Sequence, residues 1–207
     1  MPRPRSENYD DIKGQILDAA AALFAKKGFL NTNIAEIGAA CHASKSRMYH
    51  YFGSKNEILA AMLVDHARGL AERVRLVLDT DSPDEQKLVD LIAAHFDIYL
   101  SNPDRQTVLL HDAAYLSPTD GAALKRIERQ LVEMLAGLLR NLGGKAFRDK
   151  PVATAHAMLI YGMLNWIYTW YRESGPVKPA ALAEYAARLC LYGLLSGQTP
   201  SPSRPPP

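Results

Sequence analysis

The chain has 207 residues, a length that allows one large domain or two modest ones. Apolar residues make up 48% and charged residues 22%, which excludes a mostly disordered chain and leaves material for a sizeable core. Two cysteines, Cys41 and Cys190, are too few for a disulfide framework, and neither lies in a zinc-binding pattern. Because the N-terminus has no apolar signal segment, the sequence predicts a cytoplasmic protein.

The charge is distributed unevenly, although the net charge is only +2. Residues 1–55 carry eight basic and five acidic side chains, and the rest of the chain is slightly acidic. This asymmetry favours an anionic partner for the N-terminal part. A chance excess of cations on a solvated surface is the other interpretation.

The spacing of apolar residues predicts helices throughout, and no run alternates as a strand would. Asn33 with Glu36, and Ser54 with Glu57, have the spacing of capping boxes, and Gly28 is placed to end the first helix. The predicted class is all-α, with about nine helices, at 10–27, 33–41, 44–51, 54–78, 82–101, 103–111, 117–141, 151–173 and 179–195.

The run 152–171 has about 20 mostly apolar residues, the length that spans a bilayer. However, His156 and Asn165 lie inside it, and no basic cluster flanks it. A helix that is buried on all sides or packed against a second subunit is the better interpretation. We therefore expect no membrane partner.

Residues 33–55 predict two short helices separated by Cys41-His42-Ala43, the arrangement of a helix-turn-helix. Ile37 faces the core from the first helix. Met48 and Phe52 are four residues apart and hold the second helix inward. The side chains left to point outward from the second helix are Lys45, Ser46, Arg47, Tyr49 and His50.

A basic and aromatic outward face suits the major groove of DNA, because lysine and arginine reach guanine edges or phosphates and tyrosine hydroxyls reach phosphates. Ser44 caps the second helix. Lys55 and the cap at Ser54 offer a cation and backbone N–H groups to another phosphate. A helical hairpin without a DNA function is the alternative.

The string SKSRMYHYFGSK, together with the amphipathic helix before it, closely resembles the DNA-binding domain of the TetR family of bacterial repressors. The resemblance covers about residues 9–60. It implies a homodimer that grips a pseudo-palindromic operator in double-stranded DNA. The residues that it implies as DNA contacts are Thr32, Asn33, Ser44, Lys45, Ser46, Arg47, Tyr49, His50 and Lys55.

The same resemblance implies a division into a DNA-binding domain, 9–55, and an effector-binding and dimerisation domain, 56–196. A flexible basic arm, 1–8, and a disordered Pro/Ser-rich tail, 197–207, complete the predicted organisation. The chain departs from the family pattern in the helix-turn-helix itself.

The family usually has alanine at the positions of Gly38 and Cys41, and glycine at the position of His42. Histidine tolerates a left-handed conformation better than most residues, so we expect the turn to form.

The pattern NWxYxWYxxxG, which begins at Asn165, is similar to a TetR subgroup that controls fatty-acid, steroid or phenylacetate catabolism and responds to coenzyme A thioesters. A steroid, an aromatic compound or a drug are alternative effectors. Arg73, Arg105, Arg140 or Arg172 would meet the nucleotide phosphates. The candidate pocket residues are His95, Phe96, Tyr99, Leu109, Tyr115, Met134, Asn165 and Trp166, each of which could instead fill a core or a dimer seam.

The last two long helices carry apolar faces that predict a two-fold bundle between two chains. The residues on these faces are Leu159, Met163, Trp166, Trp170, Leu182, Tyr185, Ala186, Leu189 and Tyr192.

No nucleophile–base motif, metal motif or phosphate loop is visible, so the sequence predicts no enzyme, cofactor or metal. The rival to a repressor is a helical interaction protein without DNA selectivity.

Overall fold

The computed structural model describes residues 7–143, 145–172 and 174–195. These residues form α-helices and two 3-10 turns, Ala113–Tyr115 and Lys145–Arg148, with no β-strand among them, which confirms the all-α class. Nine of their helices exceed one turn, and α9 is a single turn. The helices are α1 Glu7–Lys27, α2 Ile34–Ala40, α3 Lys45–Tyr51, α4 Lys55–Leu78, α5 Asp84–Ser101, α6 Pro103–Asp112, α7 Pro118–Leu142, α8 Lys150–Asn165, α9 Ile167–Trp170 and α10 Pro179–Leu195.

The helix ends follow from local capping, as the sequence predicts. Gly28 has a φ of 82° and ends α1. The Asn33 side chain accepts a hydrogen bond from the Glu36 N–H at 2.9 Å, and Glu36 accepts from the Asn33 N–H at 3.0 Å, which completes a capping box. Ser54 accepts from the Glu57 N–H at 3.1 Å at the start of α4.

The prediction of one helix over 151–173 is wrong. Helix α8 ends at Asn165, and α9 ends at Trp170. The sequence from Asn165 to Tyr171 is made of asparagine, aromatic and β-branched residues, which all have low helix propensity, so little local energy maintains the helix there. Within the described ranges, no helix is long and apolar enough to cross a membrane.

The chain divides into two compact units. The first takes in the chain through Glu72 together with Ile98–Arg129, and the second takes in Arg73–Asp97 together with the chain from Gln130 onward. The first unit therefore includes α6 as well as the residues of the predicted 9–55 domain. Its core is built by α1–α4 and α6 and includes Ile16, Phe24, Ile37, Met48, Leu59, Met62 and Val108.

The second unit has its own apolar interior, which encloses a histidine. His95 is fully buried, its ring lies 5.1 Å from that of Tyr161, and its Nδ1 lies 2.7 Å from the Leu91 carbonyl. Burial lowers the pKa of His95 to about 4, and the hydrogen bond to Leu91 opposes this only in part. The imidazole is therefore neutral at pH 7.

Candidate nucleic-acid interface

Helices α2 and α3 are joined by a tight turn centred on His42. His42 has a φ of 54°, the left-handed conformation that the sequence analysis expects of this position. The Ala43 N–H donates to the Gly38 carbonyl at 2.8 Å, and the His42 N–H donates to the Ala39 carbonyl at 3.3 Å. These bonds fix the angle between the two helices.

Gly38 lies where α2 meets this turn and the start of α3. A Cβ atom at Gly38 would lie 2.9 Å from the Ala43 carbonyl oxygen and 3.1 Å from Cγ of Met48. Ordinary van der Waals contact begins beyond these distances. An alanine at this position would therefore require the turn or Met48 to shift.

Helix α3 has one buried and one exposed face. Met48 is buried, as is Phe52 directly after the helix, and both join the core of the first unit. Ser44 caps the helix by accepting from the Arg47 N–H at 3.2 Å. The remaining predicted contact residues of α3 are all exposed, namely Lys45, Ser46, Arg47, Tyr49 and His50.

A concavity of about 350 Å³ lies between α2 and α3. Its lining brings Asn33, the cap of α2, together with Lys45 and Tyr49 of α3. The cap of one helix and the exposed face of the next therefore form one continuous surface. Amide, ammonium and phenol groups on such a surface can donate hydrogen bonds to phosphates and base edges.

Thr32 does not join this surface, contrary to the sequence expectation. Its side chain is buried, and its hydroxyl donates to the Gly28 carbonyl at 3.0 Å. The loop after Gly28 folds back on the end of α1, and Thr32 bonds to that end of the helix instead of facing the solvent.

Lys55 also differs from its expected role as a phosphate contact. Its Nζ donates to the carbonyls of Phe29 at 2.6 Å and Thr32 at 2.7 Å, and it lies 3.4 Å from the Leu30 carbonyl. The same ammonium lies 4.3 Å from the centre of the Phe29 ring. Because an ammonium has three donors, all of them are directed at the loop between α1 and α2.

Phe29 also receives contacts from the segment that ends α6. The Tyr115 ring stacks on the Phe29 ring at 5.4 Å, and the Tyr115 carbonyl accepts from Asn56 at 3.2 Å. The Asp112 carboxylate accepts from the Phe29 N–H; burial raises the Asp112 pKa, and this hydrogen bond opposes the rise. The α1–α2 loop is thus held by both α4 and the end of α6. Sequence reasoning missed the part played by α6, since Asp112 and Tyr115 lie 83 and 86 residues after Phe29.

A second contact joins α6 to α1. Arg105 donates to Asp18 at 2.6 Å, with the Arg105 side chain mostly buried. Of the other arginines expected to bind phosphates, Arg73 pairs with Asp97 at 3.3 Å, and Arg172 donates to the Tyr171 carbonyl at 2.9 Å.

The structure divides the predicted effector residues between the two units. Tyr99, Leu109 and Tyr115 belong to the first unit, and the Tyr115 ring stacks on Phe29. Trp166 is 64% exposed. The members that belong to the second unit are His95, Phe96, Met134, Asn165 and Trp166. Three of the four candidate arginines, Arg73, Arg140 and Arg172, also belong to this unit and are exposed.

Three buried polar side chains meet inside the first unit, at positions that sequence analysis only partly identified. His66 on α4 lies 3.1 Å from the side-chain oxygen of Gln106 on α6. Tyr99 on α5 hydrogen-bonds the same Gln106; burial raises the Tyr99 pKa and this bond opposes the rise. Burial lowers the pKa of His66, and the bond to Gln106 opposes that shift. We call these residues the His66 cluster.

Helices α8, α9 and α10 expose large apolar side chains. Leu159 is 72% exposed, Trp170 55% and Leu189 71%, and such a concentration of uncovered apolar side chains is typical of an interaction surface. Leu182 is partly buried and Ala186 is buried, so these two predicted interface residues turn toward their own unit. The residues of this exposed apolar face are Met158, Leu159, Met163, Trp166, Trp170, Tyr185, Leu189 and Tyr192.

An α-helical chain with a capped helix-turn-helix and a polar, basic recognition face is a helix-turn-helix DNA-binding protein. The TetR family of bacterial regulatory proteins matches residues 16–62, and a tetracyclin repressor-like C-terminal domain matches residues 81–194. The chain belongs to the TetR family and is a transcriptional regulator, which confirms the resemblance seen in the sequence. In the described ranges, no group of side chains is arranged to hold a metal ion.

Relatives of known structure and function agree with this membership. A TetR-family transcriptional regulator from Bordetella parapertussis is 36% identical, with a TM-score of 0.84 over 92% of this chain and 100% of that one. The transcriptional repressor NicS of Pseudomonas putida is 26% identical over 82% of this chain and 81% of NicS. AibR, solved with isovaleryl coenzyme A and operator DNA, shares the fold at 22% identity, with a TM-score of 0.72 over 88% of this chain and 97% of AibR.

Proposed function

We propose that the protein is a homodimeric repressor that binds a pseudo-palindromic operator and releases it when a small hydrophobic effector, an acyl-CoA thioester, binds. The observation that carries the DNA part is the exposed face of α3 above buried Met48. A helix held by its apolar side and capped at its start presents its polar side chains in a fixed geometry.

The residues of this face have distinct roles in the proposal. Arg47 lies in the first turn of α3, the part of a recognition helix that reaches base edges, and Lys45 in the same turn donates to a backbone phosphate. Tyr49 and Asn33 border the concavity between α2 and α3 and donate to phosphates. His50 lies at the far end of the same exposed face.

The exposed apolar face of α8–α10 supports the homodimer. Leu159, Trp170 and Leu189 are uncovered in one chain. Covering them with a second apolar surface stabilises the associated state by about 25 cal/mol for each Å² of apolar surface removed from water. A second copy of the chain supplies an identical face, and a two-fold axis pairs the two. The same axis presents two copies of α3 to two half-sites.

The acyl-CoA effector is supported by the aromatic pattern that begins at Asn165 and by the fold shared with AibR. The His66 cluster offers buried hydrogen-bonding groups of the kind that orient a mostly apolar ligand. Steroids and aromatic compounds share this requirement, so the experiment below includes them.

The contacts around Phe29 suggest how an effector signal reaches the DNA-binding helices. Gln106 of the His66 cluster and Asp112, which holds the Phe29 N–H, lie on the same helix, α6. A displacement of α6 would therefore disturb the α1–α2 loop through Asp112 and Tyr115. The effector must bind the displaced state more tightly, because a ligand of equal affinity for both states shifts nothing.

The test is fluorescence anisotropy on tiled DNA from upstream of this gene, at one salt concentration, with and without long-chain, aromatic and steroid acyl-CoAs. We expect selective binding to one tile, and release by one thioester class at concentrations where free coenzyme A has no effect. Selective binding that only a free acid, steroid or drug releases would retain the repressor and replace the effector class. Binding to all tiles alike, with the same affinity as calf thymus DNA, would contradict the repressor.

A further inference from the structure

We propose that Tyr9, at the start of α1, is a positioning residue for DNA recognition: it holds the His50 imidazole in the orientation from which His50 donates to a backbone phosphate. The inference rests on the proposed function, since it requires α3 to lie in a major groove. It brings a side chain from outside the helix-turn-helix into the recognition of each half-site.

Three aromatic rings meet where the start of α1 lies beside the end of α3. The centre of the Tyr9 ring lies 4.5 Å from that of Tyr51 and 6.3 Å from that of His50. The His50 and Tyr51 ring centres are 5.3 Å apart. The two tyrosine rings stand at 80° and 89° to the imidazole, the edge-on arrangement that aromatic pairs favour. We call Tyr9, His50 and Tyr51 the aromatic cluster.

The aromatic cluster is anchored to the core of the first unit. Tyr51 is partly buried against that core. Tyr9 lies three residues before Ile12 and seven before Ile16, which is the spacing of one helix face. Ile16 is buried in the core, and Ile12 packs against it. Both tyrosines are only partly exposed, so the fold holds their rings, and the imidazole is the exposed member of the cluster.

Contact on two sides restricts the rotation of the His50 side chain. An exposed side chain with open surroundings samples several rotamers, and binding must select one of them at an entropic cost. Because Tyr9 and Tyr51 lie against the imidazole, fewer rotamers remain in the free protein. The ordering of His50 therefore takes place on folding rather than on binding, which strengthens the contact that it makes with DNA.

The place of His50 on α3 indicates the group to which it donates. His50 lies in the last turn of α3, whereas the first turn of a recognition helix reaches base edges. Side chains farther along such a helix meet the sugar–phosphate walls of the groove. An imidazole carries at least one N–H donor, and phosphate oxygens accept strong hydrogen bonds. His50 therefore suits a backbone phosphate, a contact that fixes the register of α3 in the groove.

The experiment scans the phosphates of a site that the full-length protein selects from random duplex DNA. Each duplex carries one uncharged methylphosphonate at the same position of both half-sites. The position at which His50→Ala abolishes the loss of affinity caused by methylphosphonate is the His50 phosphate. Lys45→Ala identifies the Lys45 phosphate in the same way. Variants of Tyr9 are then measured on both duplexes, with Gln15→Ala, which changes an exposed side chain farther along α1, as the matched control.

We expect the full-length protein and Gln15→Ala to bind about tenfold more weakly when the His50 phosphate is replaced, since one charge-assisted hydrogen bond is lost. Tyr9→Ala should bind the unmodified site about fivefold more weakly, because His50 must then be ordered on binding. Replacing the His50 phosphate should cost Tyr9→Ala only about twofold more, whereas replacing the Lys45 phosphate should cost it as much as it costs the full-length protein.

Three further variants separate positioning from damage to the fold. Tyr9→Leu keeps an apolar side chain on α1 and should behave like Tyr9→Ala. Tyr9→Phe keeps the ring and should respond to both replacements like the full-length protein. The double variant Tyr9→Ala/His50→Ala should bind no more weakly than His50→Ala, because Tyr9 acts through His50.

Four results would overturn the inference while leaving the proposed function intact. Tyr9→Ala and Tyr9→Leu could keep the full loss at the His50 phosphate. Their losses could shrink at both phosphates alike, which would indicate general damage. Tyr9→Phe could be as weak as Tyr9→Ala, which would assign the effect to the hydroxyl. The loss at every phosphate could be independent of His50. Failure to select any site would overturn the proposed function and this inference together.

Discussion

Lys55 and Phe29 are joined twice, by a 2.6 Å hydrogen bond from the ammonium to the Phe29 carbonyl and by the placement of the same ammonium 4.3 Å from the centre of the Phe29 ring. Phe29 is also stacked by Tyr115 and hydrogen-bonded through its N–H by Asp112. The loop that leads into the helix-turn-helix is therefore fastened at one residue by side chains from α4, α6 and the turn after α6.

We expect Lys55→Met to lower both stability and operator affinity while leaving the salt slope of binding unchanged. The loss of charge-assisted bonds to carbonyls should cost about 1–2 kcal/mol of unfolding free energy. Thermal unfolding and binding at several salt concentrations measure the two effects.

Lys45→Ala is the matched control, because Lys45 is an exposed lysine on α3. It should leave the melting temperature unchanged and reduce the salt slope by about 1. A Lys55→Met protein with native stability and a slope reduced by about 1 would show instead that Lys55 contacts a phosphate.

We expect Gly38→Ala to destabilise the protein although alanine favours helices. The added methyl would meet the Ala43 carbonyl oxygen at 2.9 Å, and relief requires the turn or α3 to shift, at a cost of about 1–3 kcal/mol. The measurement is the free energy of unfolding in urea. In Gly69→Ala the new methyl meets nothing within 4 Å, and this variant should gain about 0.5–1 kcal/mol. Equal gains in both variants would refute the close crossing.

His95 predicts a loss of stability in mild acid. Its folded pKa of about 4 lies below the ordinary histidine value of 6.5, so the unfolded chain takes up a proton that the folded chain does not. The contribution is complete above pH 6.5 and decreases as the pH falls toward 4, by about 1 kcal/mol at pH 5.5. Unfolding in urea at pH 7.5 and 5.5, at one protein concentration, measures it.

His95→Gln keeps a polar, uncharged side chain and should remove most of this difference between the two pH values. Burial also lowers the pKa of His66, so His66 should cause a further, smaller loss of stability in acid that remains in the His95→Gln protein. A His95→Gln protein with the full acid loss of the parent would show that His95 is already hydrated or protonated in the fold.

If the proposed dimer forms through α8–α10, Leu189→Arg should give a folded monomer that binds the operator at least tenfold more weakly. Leu189 is 71% exposed within one chain, so the substitution disturbs the chain little but buries a charge in a dimer. Light scattering and anisotropy measure the two properties. The control is Leu76→Arg, which replaces an exposed leucine on α4 and should leave dimerisation and operator affinity unchanged. Dimerisation unchanged by Leu189→Arg would place the interface elsewhere.

The elements that local signals specify were predictable from the sequence. The caps at Asn33, Ser44 and Ser54, and the inward turn of Met48 and Phe52, depend on neighbours within four residues. Such signals suffice for the fold class and for the exposed face of α3.

The remaining features depend on distant partners. The resemblance implies DNA contacts at Thr32 and Lys55, and nothing in the sequence shows that the α1–α2 loop turns both side chains inward. The sequence offers Tyr115 as a pocket residue, and its true partner is hidden because Phe29 lies 86 residues earlier. The break after Asn165 is marked only by the weak helix formers from Asn165 to Tyr171, which are a much fainter signal than a proline.

The central claim is that exposed side chains of α3 give this protein sequence-selective DNA binding as a dimer. The most direct measurement is selection from random duplex DNA, followed by affinity measurements for the full-length protein and for Arg47→Ala. We predict a site with two-fold symmetry, half-sites about 10 base pairs or a multiple apart, and an affinity loss of tenfold or more for Arg47→Ala with an unchanged melting temperature. The claim would be contradicted if the selection enriched no sequence, or if Arg47→Ala and Tyr49→Ala both bound the selected symmetric site with full affinity.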